Sequence, residues 1–386
     1  MRRLIAAAFR FWGRPGGDLF KMTDNELKNI IEGILPAYPS ALAEARQRQS
    51  ELAKPPKSLG KLEDISVRLA GITGKVNNSI EKCLVAVFAA DNGVVAEGVA
   101  VTPQSVTLSQ AVNMTRHKTG MSVLAQCFGD EVRVYDVGIN APERPELITR
   151  KLRRGTASIL RGPAMTQDEA LFAMKAGFEA AKQAKEDGFD AVGVGEMGIG
   201  NTTTSAAVLT ALTGCDAELA TGRGSGLSDD ALKHKTEVVR GAVRINSPKK
   251  DDPVDVISKV GGLDIAAMTG AYLGCAYYRL PAVADGFISI VAALCAVRLC
   301  PAARDFIFLS HASEEPGYNL AAQELGLSPF LLLDMRLGEG SGCPIAFQVM
   351  KAACAVMNDM ATFDEAAIND NYLENLNGIK DFDYKL

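Results

Sequence analysis

Apolar runs and helical periodicities alternate along most of this chain. Cys83–Ala89 is a continuous apolar run, the pattern of a strand covered on both faces of a parallel sheet. Val132–Val137, Ala191–Val194, Ala282–Ala284 and Phe306–Leu309 also read as strands, with Ile159 as an edge strand. The strand pattern repeatedly breaks into polar, loop-forming residues before a helix pattern begins: Asp91-Asn92-Gly93, Gly195–Thr203, Asp285–Ser289 and Ser310–Gly317. That alternation predicts an α/β fold, a doubly wound, mainly parallel Rossmann-like sheet with its site along one edge.

The first part of the chain is different. Leu27, Ile30, Ile31 and Ile34 mark one helix, for which Asp24 is a cap, and Pro36 ends it; Ser40–Leu52 is a second, and Leu62, Ile65 and Leu69 mark a third. Between them Lys54–Glu63 reads as a solvated basic linker. Later, Thr166 with Glu169 predicts a capping box for a helix to Glu186. Pro344 opens the last helix. The expected organisation is residues 1–21 as a disordered extension, 22–80 as the N-terminal part of a smaller helical domain, 81–330 as the α/β nucleotide-binding core, and 331–386 as a catalytic loop plus a C-terminal helix completing the small domain.

Composition narrows the function. With 386 residues and a net charge of −5, the chain has no Lys/Arg track for a nucleic-acid backbone. The longest apolar region, 272–297, is broken by Arg279 and Asp285, which excludes a membrane span. The 8 cysteines form no CxxC pair and read as buried free thiols of a reducing compartment; with 3 scattered histidines they build no zinc site. Met1–Lys21 carries Arg2, Arg3, Arg10 and Arg14; Arg10 interrupts its apolar stretch and no small-residue cleavage site follows, so an upstream start is preferred to a signal peptide.

Candidate chemistry concentrates in the glycine-rich turns. In GEMGIGNTT (195–203) the glycines let the backbone approach a ligand, and Asn201 or Thr202 is placed to cap a helix whose free N–H groups suit a phosphate. Glu196 is the odd member, since a carboxylate there must face a centre that becomes cationic or gives up a proton. In RLGEGSG (336–342) Glu339 sits between two glycines, with its side chain free to project. Gln110 is read as the start of a helix facing the same crevice.

GEMGIGNTT, RLGEGSG, ADNGVVAEGVAV, KPP.SLG.LE, DGFIS and SHAS.EPG together resemble the nicotinate-nucleotide–dimethylbenzimidazole phosphoribosyltransferase family, in one order from about Ala53 to Met360. The resemblance implies transfer of a 5-phosphoribosyl group from nicotinate mononucleotide to 5,6-dimethylbenzimidazole with inversion. The products are α-ribazole 5'-phosphate, for cobalamin nucleotide-loop assembly, and nicotinate. It implies Glu339 as the general base and Glu196 as a supporting acid near the ribose. It places Lys235 with the phosphate or nicotinate, Gly198, Gly224 and Ser313 around the phosphate, Asp285 near the ribose, and Thr102 and Gln110 beside the incoming base. Asn201, Thr202, Leu337 and Gly338 complete the expected substrate contacts. No cofactor and no metal are called for, because the leaving group is already cationic. A cytoplasmic homodimer is expected, without nucleic-acid or membrane partners.

Two positions depart from the family pattern: Asn92 stands where ADHG is common, and Lys57 where the basic turn has glycine. Glu196 as a loop stiffener, Lys235 as a surface lysine and His311 as a structural histidine remain competing readings. So do a different acceptor (adenine, another benzimidazole, a phenol) and a non-catalytic nucleotide-binding subunit. A dinucleotide dehydrogenase is disfavoured, because no GxGxxG follows an early strand.

Overall fold

A computed structural model describes residues 22–371 and 373. The expected 1–21 extension and the end of the chain lie outside the described residues. In chain order the elements begin with α1 (Asp24–Gly33), α2 (Pro39–Glu51), α3 (Lys61–Thr73), β1 (Cys83–Ala90), α4 (Val106–Thr115), α5 (Gly120–Phe128), β2 (Glu131–Gly138) and β3 (Ile148–Thr149). They continue with α6 (Gln167–Glu186), β4 (Ala191–Met197), α7 (Asn201–Thr213), α8 (Ala217–Ala220), α9 (Asp229–Asn246), α10 (Pro253–Val260) and α11 (Leu263–Tyr277). The last are β5 (Ala282–Ala284), α12 (Phe287–Leu299), β6 (Ile307–Leu309), α13 (Pro316–Leu325) and α14 (Gly342–Asp359).

The sheet is parallel throughout, in the order β3-β2-β1-β4-β5-β6. From β1 the chain fills one side of the sheet, then crosses back to lay β4 against β1's other edge. Between the C-terminal ends of β1 and β4 the loops therefore diverge to opposite sides, and that topological switch point leaves a crevice. Every residue of β1 and β4 is buried, which is why both strands read as unbroken or nearly unbroken apolar runs. Helices α6, α11 and α12 pack over one face, and α4, α5 and α14 over the other.

The N-terminal helices pack into the main core through Leu27, Ile65, Leu69 and Ile72. Ala45, Val67, Ala70 and Met357 form their own small apolar cluster from α2, α3 and α14, so the last helix joins the first ones. Thr362 closes the same corner through an antiparallel bridge to Leu52.

Local chemistry corrects several expectations. The α1 cap is Thr23, in a reciprocal capping box with Glu26, and Asp24 is the first helical residue. Ile159 forms no strand: it is a fully buried turn residue whose carbonyl accepts from the Asn246 amide at 2.7 Å, and the edge strand is Ile148–Thr149. The 54–63 turn is not a solvated linker, since Lys54 and Glu63 form a buried ion pair at 2.8 Å. Lys57 has φ 59°, the left-handed region in which a glycine would carry no steric cost. The box at Thr166 and Glu169 forms as read.

Candidate active site

The crevice at the switch point is a cavity of about 370 Å³. Glu196 comes from the end of β4, the turn after it supplies Gly198, and the start of α7 supplies Asn201 and Thr202. Thr102 and Gln110 close it from the segment leading into and through α4, and Gly224 and Lys235 from the turn before α9 and from α9 itself. Ser313 follows β6, while Leu337, Gly338 and Glu339 form the loop before α14. A larger cleft, about 500 Å³, lies between α2, α3 and the β6–α13 end. Three of its cations are occupied in packing: Lys61 donates to Ser328 Oγ at 2.9 Å, Arg304 donates to the Leu325 and Gly326 carbonyls at 2.7 Å, and Arg68 stacks on Phe308. Convergent unpaired polar groups favour the smaller cavity.

One end of this cavity is cationic. Lys235, expected by default on a surface, is 1% exposed. Its Nζ donates to Thr202 Oγ1 and to the Gly222 carbonyl, both at 2.9 Å. Burial pulls the ammonium down to about 8, and the Glu315 charge opposes this. Neither Asn201 nor Thr202 caps α7. Gly200, at φ 93°, precedes the helix, and both side chains turn to other partners, Glu196 and Lys235. The first turn of α7 thus presents its N-terminal dipole near a buried lysine, an arrangement suited to a phosphate.

The cavity also has an acidic wall, where the loop before α14 meets β4. Residues 338, 339 and 340 all have positive φ (78°, 63° and 86°), and Glu339 is the one non-glycine among them. A non-glycine in that region is held there by its surroundings, a feature that clusters at active sites. The loop rests on β4 because Gly195 has no side chain: a Cβ there would lie 2.8 Å from the Glu339 carbonyl and 2.9 Å from Gly340. Two acids hold its backbone. Glu196 accepts from Glu339 N at 3.2 Å, and Asp285 accepts from Gly340 N at 2.9 Å and Gly342 N at 2.7 Å.

Asp285 corrects an expectation. It does not line the cavity; it is buried beneath the loop, with His311 Nδ1 3.8 Å from its Oδ1. His311 is fully buried; it bonds Ser310 Oγ at 3.0 Å, and its Nε2 has no hydrogen-bond partner. Glu339 also differs from expectation. It is 7% exposed and does not project into solvent. Gln110, in mid-helix and not at the helix start, donates to its Oε1 at 3.3 Å, and its Oε2 is buried without a hydrogen-bond partner. Burial raises the Glu339 carboxyl above its ordinary range, opposed by the Gln110 contact. Burial pushes Glu196 further, up to about 8, against the Asn201 and Glu339 N–H donors, while Asp264 and Asp285 add repulsion.

This geometry can be set beside known proteins. A family model described as phosphoribosyltransferase matches residues 34–368. The nicotinate-nucleotide–dimethylbenzimidazole phosphoribosyltransferase of Clostridium perfringens strain ATCC 13124 is 52% identical over 351 residues, covering 91% of this chain and 97% of that protein. The chain belongs to that family. A Geobacter sulfurreducens enzyme of the same name is 43% identical over 344 residues, 89% of this chain and 98% of its own. The crystal structure of CobT from Thermus thermophilus superposes with a TM-score of 0.82 at 40% identity, over 86% of this chain and all of that one.

Much of the cavity lies within the quoted motifs, while Thr102, Gln110, Gly224 and Lys235 fall outside them. Sequence reading passed over two acids. Glu315, within the quoted SHAS.EPG motif, lines the cavity and has a buried oxygen without a partner. Asp264 sits just inside α11, where an acid reads simply as a first-turn helix residue; no motif marks it.

Proposed function

We propose that this chain transfers the 5-phosphoribosyl group of nicotinate mononucleotide to 5,6-dimethylbenzimidazole, and that the two ends of the cavity divide the work. The donor phosphate lies at the α7 N-terminus with Lys235, beside Thr202, Gly198, Gly224 and Ser313. The C1'–pyridinium bond breaks and its electron pair neutralises the leaving nicotinate. Cationic character builds on C1', next to the Glu196 carboxyl, whose oriented oxygens face it in a site screened from water. The unprotonated ring nitrogen of the benzimidazole forms the new bond from the opposite face, inverting the configuration. Its other nitrogen then surrenders a proton to Glu339, and α-ribazole 5'-phosphate and nicotinate leave.

The observation that carries this reading is the Glu339 carboxyl: one oxygen is oriented by Gln110 and the other is buried and unpartnered. An acceptor N–H is the group that would satisfy it. Thr102, whose hydroxyl lies 3.2 Å from Ser225 Oγ, and Leu337 flank the acceptor.

A homodimer is part of the proposal, supported by Leu332 (81% exposed), Leu333 and Leu337 on the segment leading into the catalytic loop. So is a cytoplasmic place of work, supported by free cysteines that are mostly buried. Among the described residues no helix is long and apolar enough to cross a membrane.

The test is nicotinate release from nicotinate mononucleotide by purified full-length protein, with dimethylbenzimidazole, other benzimidazoles, adenine and phenols as acceptors. Release with dimethylbenzimidazole in preference to the others is expected. No release with any acceptor would remove the enzyme claim.

A further inference from the structure

Gln110 orients Glu339, and Gln110 is itself oriented. Both ends of its amide are engaged: Nε2 donates to Glu339 Oε1 at 3.3 Å, and Oε1 accepts from Asn113 Nδ2 at 3.4 Å. Residues three apart on a helix are neighbours, so this pair forms on one face of α4. The backbone beneath it is fixed. Thr107, Ala111, Val112 and Met114 are buried, and Ile199 N donates to the Thr107 hydroxyl at 3.1 Å. Past the helix the chain folds back on Asn113, whose carbonyl accepts from Arg116 N at 3.1 Å and Lys118 N at 3.0 Å. Asparagine is a poorer helix former than alanine or leucine, so local propensity does not account for it there.

The order of donors and acceptors matters more here than the strength of either bond. A primary amide donates from one end and accepts at the other. With Asn113 donating to its oxygen, Gln110 faces Glu339 with N–H, the group that stabilises an ionised carboxylate. Turned over, Gln110 would set its carbonyl against Glu339 Oε1, which suits only a protonated carboxyl. A general base must be ionised before it takes a proton, and burial works against that state at Glu339. The charged groups around it give no help. Glu196 from β4 and Asp285 from the segment before α12 are acids, and β1 meets the loop through Val85. Neither α4 nor α5 carries a charged side chain. After α4, Arg116 pairs with Glu146 at 2.9 Å, His117 Nδ1 bonds the Ser122 carbonyl at 3.2 Å, and Lys118 is exposed. On α14 the Cys343 thiol is directed at the Val283 carbonyl, 3.5 Å away.

We propose that Asn113 is a positioning residue of this reaction, acting through Gln110 to keep an N–H directed at Glu339. It does not line the cavity. An aspartate in its place would accept only. It would draw the NH2 of Gln110 to itself and leave the Gln110 carbonyl facing the base.

This role rests on the proposed transferase activity, and two readouts keep them apart. Full-length wild type, N113D, Q110A and the double variant are labelled with carbon-13 at the glutamate side-chain carboxyl. The Glu339 resonance, identified by its loss in E339Q, is followed through pH. Nicotinate release at saturating nicotinate mononucleotide and dimethylbenzimidazole gives kcat over the same range, with donor KM alongside. N113D is expected to raise the Glu339 midpoint and the acid limb of kcat by about one pH unit, with donor KM within threefold of wild type. Without Gln110 the same change should move the midpoint by less than half as much, which separates positioning from the charge that the variant adds. An unmoved midpoint, an unmoved acid limb, or an equal shift without Gln110 overturns the assignment. If N113D does not fold, N113K, a donor only, must lower the midpoint with the same dependence on Gln110; no shift, or equal shifts in both backgrounds, again overturns it. Wild-type turnover carries the proposed function by itself. Its absence removes both readings, whereas turnover with an unmoved Glu339 titration removes only this one.

Discussion

Two glycine-rich loops meet across the cavity, and they use their glycines for opposite ends. The turn after β4 (198–200) is tied down by neutral groups: Ile199 N donates to the Thr107 hydroxyl at 3.1 Å, and Thr203 N to the Gly200 carbonyl at 2.9 Å. It opens onto a helix N-terminus and a buried lysine. The loop before α14 (338–342) has backbone N–H groups taken up by the carboxylates of Glu196 and Asp285. Its glycines permit an acidic side chain to be held in a strained, desolvated place. One loop thus opens onto a buried lysine, which the proposed function uses for the donor phosphate, and the other gathers the carboxyl groups of Glu339, Glu196 and Asp285, which it uses at the reacting carbon. A substrate that carries an anion at one end and a pyridinium at the other matches that polarity.

Removing the acid at the reacting end is expected to have the largest effect. Glu339→Gln should lower kcat by about 10³-fold, within the range for a positioned general base, measured as nicotinate release at saturating substrates. At the other end Lys235→Met should act mainly on binding. It loses a buried charge contact to phosphate and should raise donor KM by roughly 30-fold or more while moving kcat much less. A similar split for both variants would erase the distinction between the ends.

Asp285→Asn sharpens the comparison from beneath. It exchanges two charge-assisted N–H contacts for weaker ones at best, and should lower kcat by about tenfold and the melting temperature by a few degrees. The smallest effect is on pH-dependent stability. Glu196 is raised from its ordinary 4.5 to about 8, so the folded protein holds a proton that the unfolded chain has lost. Stability from this group is therefore fully present below the unfolded value and falls as pH rises from about 4.5 through 8. Glu196→Gln should melt higher than wild type at pH 8, and the advantage should shrink toward pH 5. An advantage independent of pH would contradict the burial of an ionising group there.

Much of this polarity was legible in the sequence. Continuous apolar runs gave the parallel strands, because both faces of the sheet are covered, and the loop-forming stretches after them marked the C-terminal edge. The motifs marked Glu339 and Glu196, and the resemblance they carry added Lys235. What they could not convey is depth. Lys235 lies on a charged helix, yet its face of α9 turns inward, and the glycines around Glu339 suggest exposure where β4 and Asp285 bury the loop. Ile159 read as a strand because burial in a turn and burial in a sheet look alike over one residue. Asn113 was invisible for a related reason: a polar residue near a helix end has a sufficient local explanation, and only the fold sets its neighbour Gln110 against Glu339.

The division of labour is tested most directly by calorimetric titration of nicotinate mononucleotide into Glu339→Gln and Lys235→Met beside wild type. The prediction is a dissociation constant for Glu339→Gln within about threefold of wild type and one for Lys235→Met weakened by an order of magnitude or more. Equal weakening of both, or loss confined to the glutamate variant, would contradict a cavity whose cationic end grips and whose acidic end reacts.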